Sequence, residues 1–155
     1  MPLKATLERA RRDKRQGKSA STQAGEFVRE QIDAIRAGKH GARNAKQAIA
    51  IGLSEARRAG VKLSAPRKGI ASAATRRKAA QDAKRGRERP VRSEADVSAR
   101  RSTATKRALK REPRSSASST ALSRHARSAA GRRSAADRSR SARKAARTRG
   151  AHSSA

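Results

Sequence analysis

Residues 44–60 read NAKQAIAIGLSEARRAG, and this stretch decides the fold. On a helical repeat, Ala45, Ala48, Ile49, Gly52, Leu53, Ala56 and Ala59 make one apolar stripe. Lys46, Gln47, Ser54, Arg57 and Arg58 take the opposite side. Asn44 carries a short side-chain oxygen suited to the free amides of a first helical turn. Gly60 can adopt the left-handed backbone that stops a helix. Arg57 and Arg58 lie near the C-terminus, where cations favour the helix dipole. Ile51 falls off the stripe. It is placed to touch the first helix, a second copy of the chain in a homo-oligomer, or nothing.

Working outward, the segment from about Thr22 to Ala37 predicts a second helix. Phe27, Val28, Ile32, Ala34 and Ile35 share one arc, and Glu26, Arg29, Glu30, Asp33 and Arg36 take the other side. Ser21 or Thr22 is the expected cap, and Gly38 the expected stop. Further upstream, Leu3, Leu7 and Ala10 share a face of a marginal helix that runs to about Arg15 and breaks at Gly17. Downstream, Val61 and Leu63 alternate with polar residues, which predicts an extended stub packed back on the helices. Pro66 and Gly69 then mark a linker.

The chain has 155 residues, with 42 Lys or Arg against 12 Asp or Glu, for a net charge of +30. Residues 1–65 hold 15 basic and 6 acidic side chains, and residues 66–155 hold 27 and 6. Large apolar residues concentrate in the first part. By composition the second part cannot bury enough apolar surface to offset its ordering entropy. Helix-forming patches occur at 71–85, 102–111 and 117–149, interrupted by Pro90 and Pro113 and weakened by Gly86, Gly131 and Gly150. Unpaired Arg repeats oppose helix formation by repulsion. The expectation is therefore all-α: a small two- to three-helix module followed by a long basic tail, largely disordered or inducibly helical. The divisions are residues 1–18, a basic N-terminal helix; 19–66, a small helical domain; and 67–155, an Arg/Ala/Ser-rich tail.

Such a charge attracts any polyanion. Absence of Cys excludes disulfides and thiol chemistry. A core this small does not wall off a site for acid–base work, so an enzyme is not expected. His40, His125 and His152 are scattered without ligand spacing, and no metal or other cofactor and no small-molecule substrate is expected. No apolar run approaches a membrane span. The loop Gly38–Asn44 joins two helices and enters a helix N-terminus, with Lys39, His40, Arg43 and Lys46 around it. It reads either as a phosphate clamp built on free amides or as a plain helix–helix connection. A helix-turn-helix fits less well, because the connection is long and the third helix has few base-reading side chains. The candidate nucleic-acid-binding residues are Lys39, His40, Arg43, Lys46, Arg57, Arg58, Arg76, Arg77, Arg100, Arg101, Arg107, Arg124, Arg132, Arg133, Arg143, Lys144 and Arg147. Arg suits phosphate through its paired donors. Phe27 is the lone aromatic residue and lies on an apolar face, which disfavours single-strand recognition by stacking.

The wording of residues 21–30, 38–43 and 46–61 resembles a family of small basic bacterial proteins known as a domain of unknown function. The resemblance covers about residues 19–66. It implies a bacterial source and no particular activity. The tail is similar in composition to bacterial linker-histone-like proteins. The expected function is non-specific binding of nucleic acid, DNA favoured over RNA, by phosphate neutralisation in a cytoplasmic nucleoid. The rivals are an RNA- or ribosome-associated protein and an adaptor whose helical module recruits a protein. A membrane partner is not expected, since the tail has almost nothing to insert.

Overall fold

The computed structural model describes the backbone of residues 2–88 and 99–153 and the side chains of 2–88 and 103–147. The interruption expected at Pro90 lies outside the described residues. Among those residues the chain is helical throughout: α1 (Lys4–Arg15), α2 (Ala20–Arg36), α3 (Ala45–Arg58), α4 (Ala73–Glu88), α5 (Ala99–Lys110), a 3₁₀ turn (Ser115–Ala117), α6 (Ser119–Gly131) and α7 (Ala135–Ser153). The chain forms two compact units, Met1–Ser118 and Ser119–Ala155.

Local chemistry sets the helix ends. Asn44 Oδ1 accepts the Gln47 amide at 2.9 Å, and Gln47 Oε1 accepts the Arg43 amide at 2.7 Å. Both ends of the α3 start are thereby satisfied. Gly60, with φ 87°, stops α3, and Gly38, with φ 73°, stops α2. The α2 cap differs from expectation. It is Ser19, whose Oγ accepts the Thr22 amide at 3.3 Å, so the helix starts two residues earlier. Thr22 is inside the first turn.

Two apolar clusters hold unit 1. Leu7, Ala10, Ala24, Phe27 and Ala56 form the first, with Leu53, Ala59, Val61 and Leu63 packed on it. The extended stub after Gly60 is thus seated as expected. Ile35, Ala42, Ala48 and Ala117 form the second, with Ile32 against it. The helices α2 and α3 approach so closely at Gly52 that a Cβ there would lie 2.6 Å from the Val28 Cα. Gln31 donates to Glu55 at 2.7 Å across the same interface, which satisfies two buried polar groups. Helix α1 is tied down by polar contacts as well as by Leu7. Glu30 accepts the Leu3 amide at 2.9 Å, and Arg9 pairs with Glu26 at 2.6 Å.

The expected architecture, a two- to three-helix module with a long, largely disordered or inducibly helical tail, is overturned. Helix α4 packs on α3. Ser54 donates to the buried Asp82 at 2.6 Å, and Ala79 is buried in the contact. Gly86 lies against the end of α3, where a Cβ would collide with the Arg57 carbonyl oxygen. Residues 109–117 form a strap over the α2–α3 loop. The Gly41 amide donates to the Leu109 carbonyl at 2.8 Å, and the Ala42 amide to the Pro113 carbonyl at 3.1 Å. Arg36 Nε donates to the Ala117 carbonyl at 2.9 Å, and Ala117 itself is fully buried. The physical reason is that these contacts need small residues, not large ones. Gly and Ala let backbones touch, and backbone oxygens supply the partners.

Unit 2 has a different economy. No residue of α6 is buried. The α6–α7 corner is held by polar groups instead. Ser134 Oγ accepts the Asp137 amide at 3.1 Å and donates to the Asp137 carboxylate at 3.0 Å. Arg133 donates to the Asp137 carbonyl at 2.8 Å and to Ser141 Oγ. Arg138 reaches back to the Arg133 carbonyl at 2.7 Å and the Ala130 carbonyl at 3.4 Å. Carbonyls at the end of α6 are thus satisfied by guanidinium donors.

Candidate nucleic-acid interface

The cations sort into those that build the protein and those that face out. Around the α2–α3 loop, Lys39, Arg43 and Lys46 are exposed and His40 is half-buried, its Nδ1 3.1 Å from the Gly41 carbonyl. The amides of Gly41, Ala42 and Arg43 donate to Leu109, Pro113 and Gln47, so the loop's backbone donors serve the protein's own oxygens. Glu112 lies 3.8 Å from Arg43. In this arrangement the loop is the seat of the strap.

Arg57 is a structural clamp. It is 7% exposed, and its guanidinium donates to the carbonyls of Leu63, Leu53 and Ser64 at 3.3, 3.4 and 3.1 Å. Those bonds fasten the stub after Gly60 to α3. Burial lowers its pKa from the usual guanidinium value, and the nearby Asp82 charge works in the opposite direction. Arg58 is half-buried and donates to the Ser54 carbonyl at 3.3 Å.

On α4, Arg77 is exposed and Arg76 half-buried, with its Nε shielded and without a hydrogen-bond partner. Arg107 on α5 is exposed. Arg100 and Arg101 lie in α5, and their side chains are outside the described residues. In unit 2, Arg124, Arg143, Lys144 and Arg147 are exposed, and Arg132 donates to Ser128 at 3.1 Å. Arg133 is exposed yet engaged at the corner. The candidates are spread over both units, each of which carries exposed cations. Among the described residues no group of His, Cys, Asp or Glu could hold a metal ion, and no helix is long and apolar enough to cross a membrane.

Residues 11–69 match the model of the Family of unknown function (DUF6496). The DUF6496 match takes in the last five residues of α1, then α2, the loop and α3, and ends before α4. It includes the seat but not the strap. Among curated proteins and solved structures, nothing matches the chain.

Half of the residues that matter but carried no expectation are acids. Residues 66–155 contain six acidic side chains among 27 basic ones. Three of the six stand at joints: Asp82 at α3–α4, Glu112 at the strap and Asp137 at the α7 cap. An acid in a strongly basic stretch was the available signal. Ser54, Arg36 and Arg138 offered none, because their partners are backbone oxygens or acids distant in sequence.

Proposed function

We propose that the chain binds nucleic acid non-specifically, duplex DNA in preference to RNA, by neutralising backbone phosphates as a nucleoid-associated, histone-like protein does. The observation that carries this reading is the charge of unit 2. Residues 119–155 hold ten Arg or Lys and one acid, Asp137. That acid sits in the first turn of α7, bonded to the Ser134 cap and 3.9 Å from Arg140, and the described cations around it are exposed. A surface so loaded gains free energy by releasing the counterions of a polyanion. Helical order also favours association, because less conformational entropy is lost on binding than a disordered arm would lose. The lack of stacking aromatics supports backbone contact over single-strand recognition.

A salt titration tests it, with duplex DNA, single-stranded DNA and structured RNA in parallel. About ten neutralised phosphates would give a slope of log K against log salt near −9 on duplex DNA. A protein that ignores all three at near-physiological salt would sink the proposal.

A further inference from the structure

The cations of α7 are not evenly distributed around it. On a 3.6-residue repeat, Arg140, Arg143, Lys144 and Arg147 fall within an arc of about 100°. All four are exposed. The far side carries Ala135, Ala142, Ala145 and Ala146, the helical position of Arg149, and Arg138, which turns back onto carbonyls of the corner. The stripe spans about 10 Å of helix length at 1.5 Å per residue. Residues 119–155 contain no Asn or Gln, the side chains that pair with adenine edges.

A helix lying in a B-form major groove nearly fills its width and meets phosphates on both walls. Cations on two flanks would suit that position. A stripe that holds four of the six α7 cations suits one wall. From this, and resting on the nucleic-acid reading above, we infer that α7 lies against one phosphate strand of a duplex through Arg140, Arg143, Lys144 and Arg147, without entering the groove. Arg133 and Arg138 are positioning residues. They fix the corner and so fix which way the stripe faces.

One consequence separates this from groove insertion. The deep, narrow major groove of A-form RNA does not admit a helix, whereas its strands offer the same phosphates. The α7 contact is therefore indifferent to duplex form and is not the source of a preference for DNA.

The test uses the full chain with Arg140, Arg143 and Arg147 changed together to Gln, a good helix former. A charge-matched control changes the exposed Arg11, Arg12 and Arg15 of α1 to Gln. The α7 variant is expected to flatten the salt slope by about 2.7, at 0.9 per lost contact, and to weaken binding to duplex DNA and duplex RNA alike. The control is expected to change it by less than one. The same three α7 positions changed to Lys keep charge and helix and should keep the slope. Equal losses in the two Gln variants would overturn the inference, as would a loss confined to B-form DNA. A Lys variant as defective as the Gln variant would also overturn it. In each case binding by the unaltered protein leaves the broader reading standing, whereas absence of binding by the unaltered protein removes both.

Discussion

Two helical glycines of α2 and α3 respond to a methyl group in opposite directions. Gly25 has nothing within 4 Å of where its Cβ would stand, and its φ is not positive. Gly25→Ala is expected to raise stability by about 1 kcal/mol through helix propensity alone. Gly52 faces the Val28 backbone, so its Cβ would force α2 and α3 apart. Overpacking costs about 1–3 kcal/mol, which exceeds the propensity gain, and Gly52→Ala is expected to lower stability. Urea midpoints of the two variants check both signs, and a stabilised Gly52 variant would refute the close approach. Arg57 shows a cation serving as a structural part. Arg57→Met keeps the aliphatic stem and removes donors to three carbonyls, which should cost about 1–3 kcal/mol. Being buried, it should leave the salt slope of the folded protein unchanged. A flattened slope in that variant would show that Arg57 reaches phosphate after all.

Four helix starts share one recipe, a short polar residue answered three positions later. Ser19 with Thr22, Asn44 with Gln47, Ser72 with Thr75 and Ser134 with Asp137 each satisfy a first-turn amide. The cap matters most in unit 2, since α6 has no buried residue to help. Ser134→Ala should weaken the start of α7 by about 1 kcal/mol. Amide exchange in the first turns of α7 would then quicken about fivefold. Unchanged exchange would mean that Arg133 and Arg138 hold the corner alone. At this scale much was legible in the sequence. The bounds of α3, the stop at Gly38 and the seat of Val61 and Leu63 follow from capping chemistry and apolar spacing. Helix-forming patches lie where α4 and α5 stand and one patch covers both α6 and α7, but the composition predicts a largely disordered or inducibly helical tail, which the structure overturns. The packing of this stretch was not legible, because it runs through Ala79, Gly86 and Ala117 rather than through large apolar side chains. The strap was invisible for a related reason: it binds through carbonyls, which every residue has. The candidate cations were legible as charge, but the division into clamps such as Arg57 and outward groups such as Arg143 needed burial to be known.

For the whole molecule, the division at Ser118 gives a direct test of where affinity resides. A chain ending at Ser118 keeps both apolar clusters, all of whose members precede that residue. It should fold, bind duplex DNA more weakly and show a shallower salt slope, because ten of the 42 cations leave with unit 2. Affinity undiminished in that form would transfer the binding role to unit 1. The strap has a further effect on how the protein comes into being. Arg36 takes as its acceptor a carbonyl 81 positions later in the chain. During synthesis the first three helices leave the ribosome with Ile35, Ala42 and Ala48 uncovered, and that face is closed only when Ala117 arrives. An interrupted product ending before Leu109 therefore displays a sticky face beside unpaired amides, a mark for aggregation and for proteases. Once residues 109–117 are in place the face is hidden, so the strap acts as a seal on the second apolar cluster.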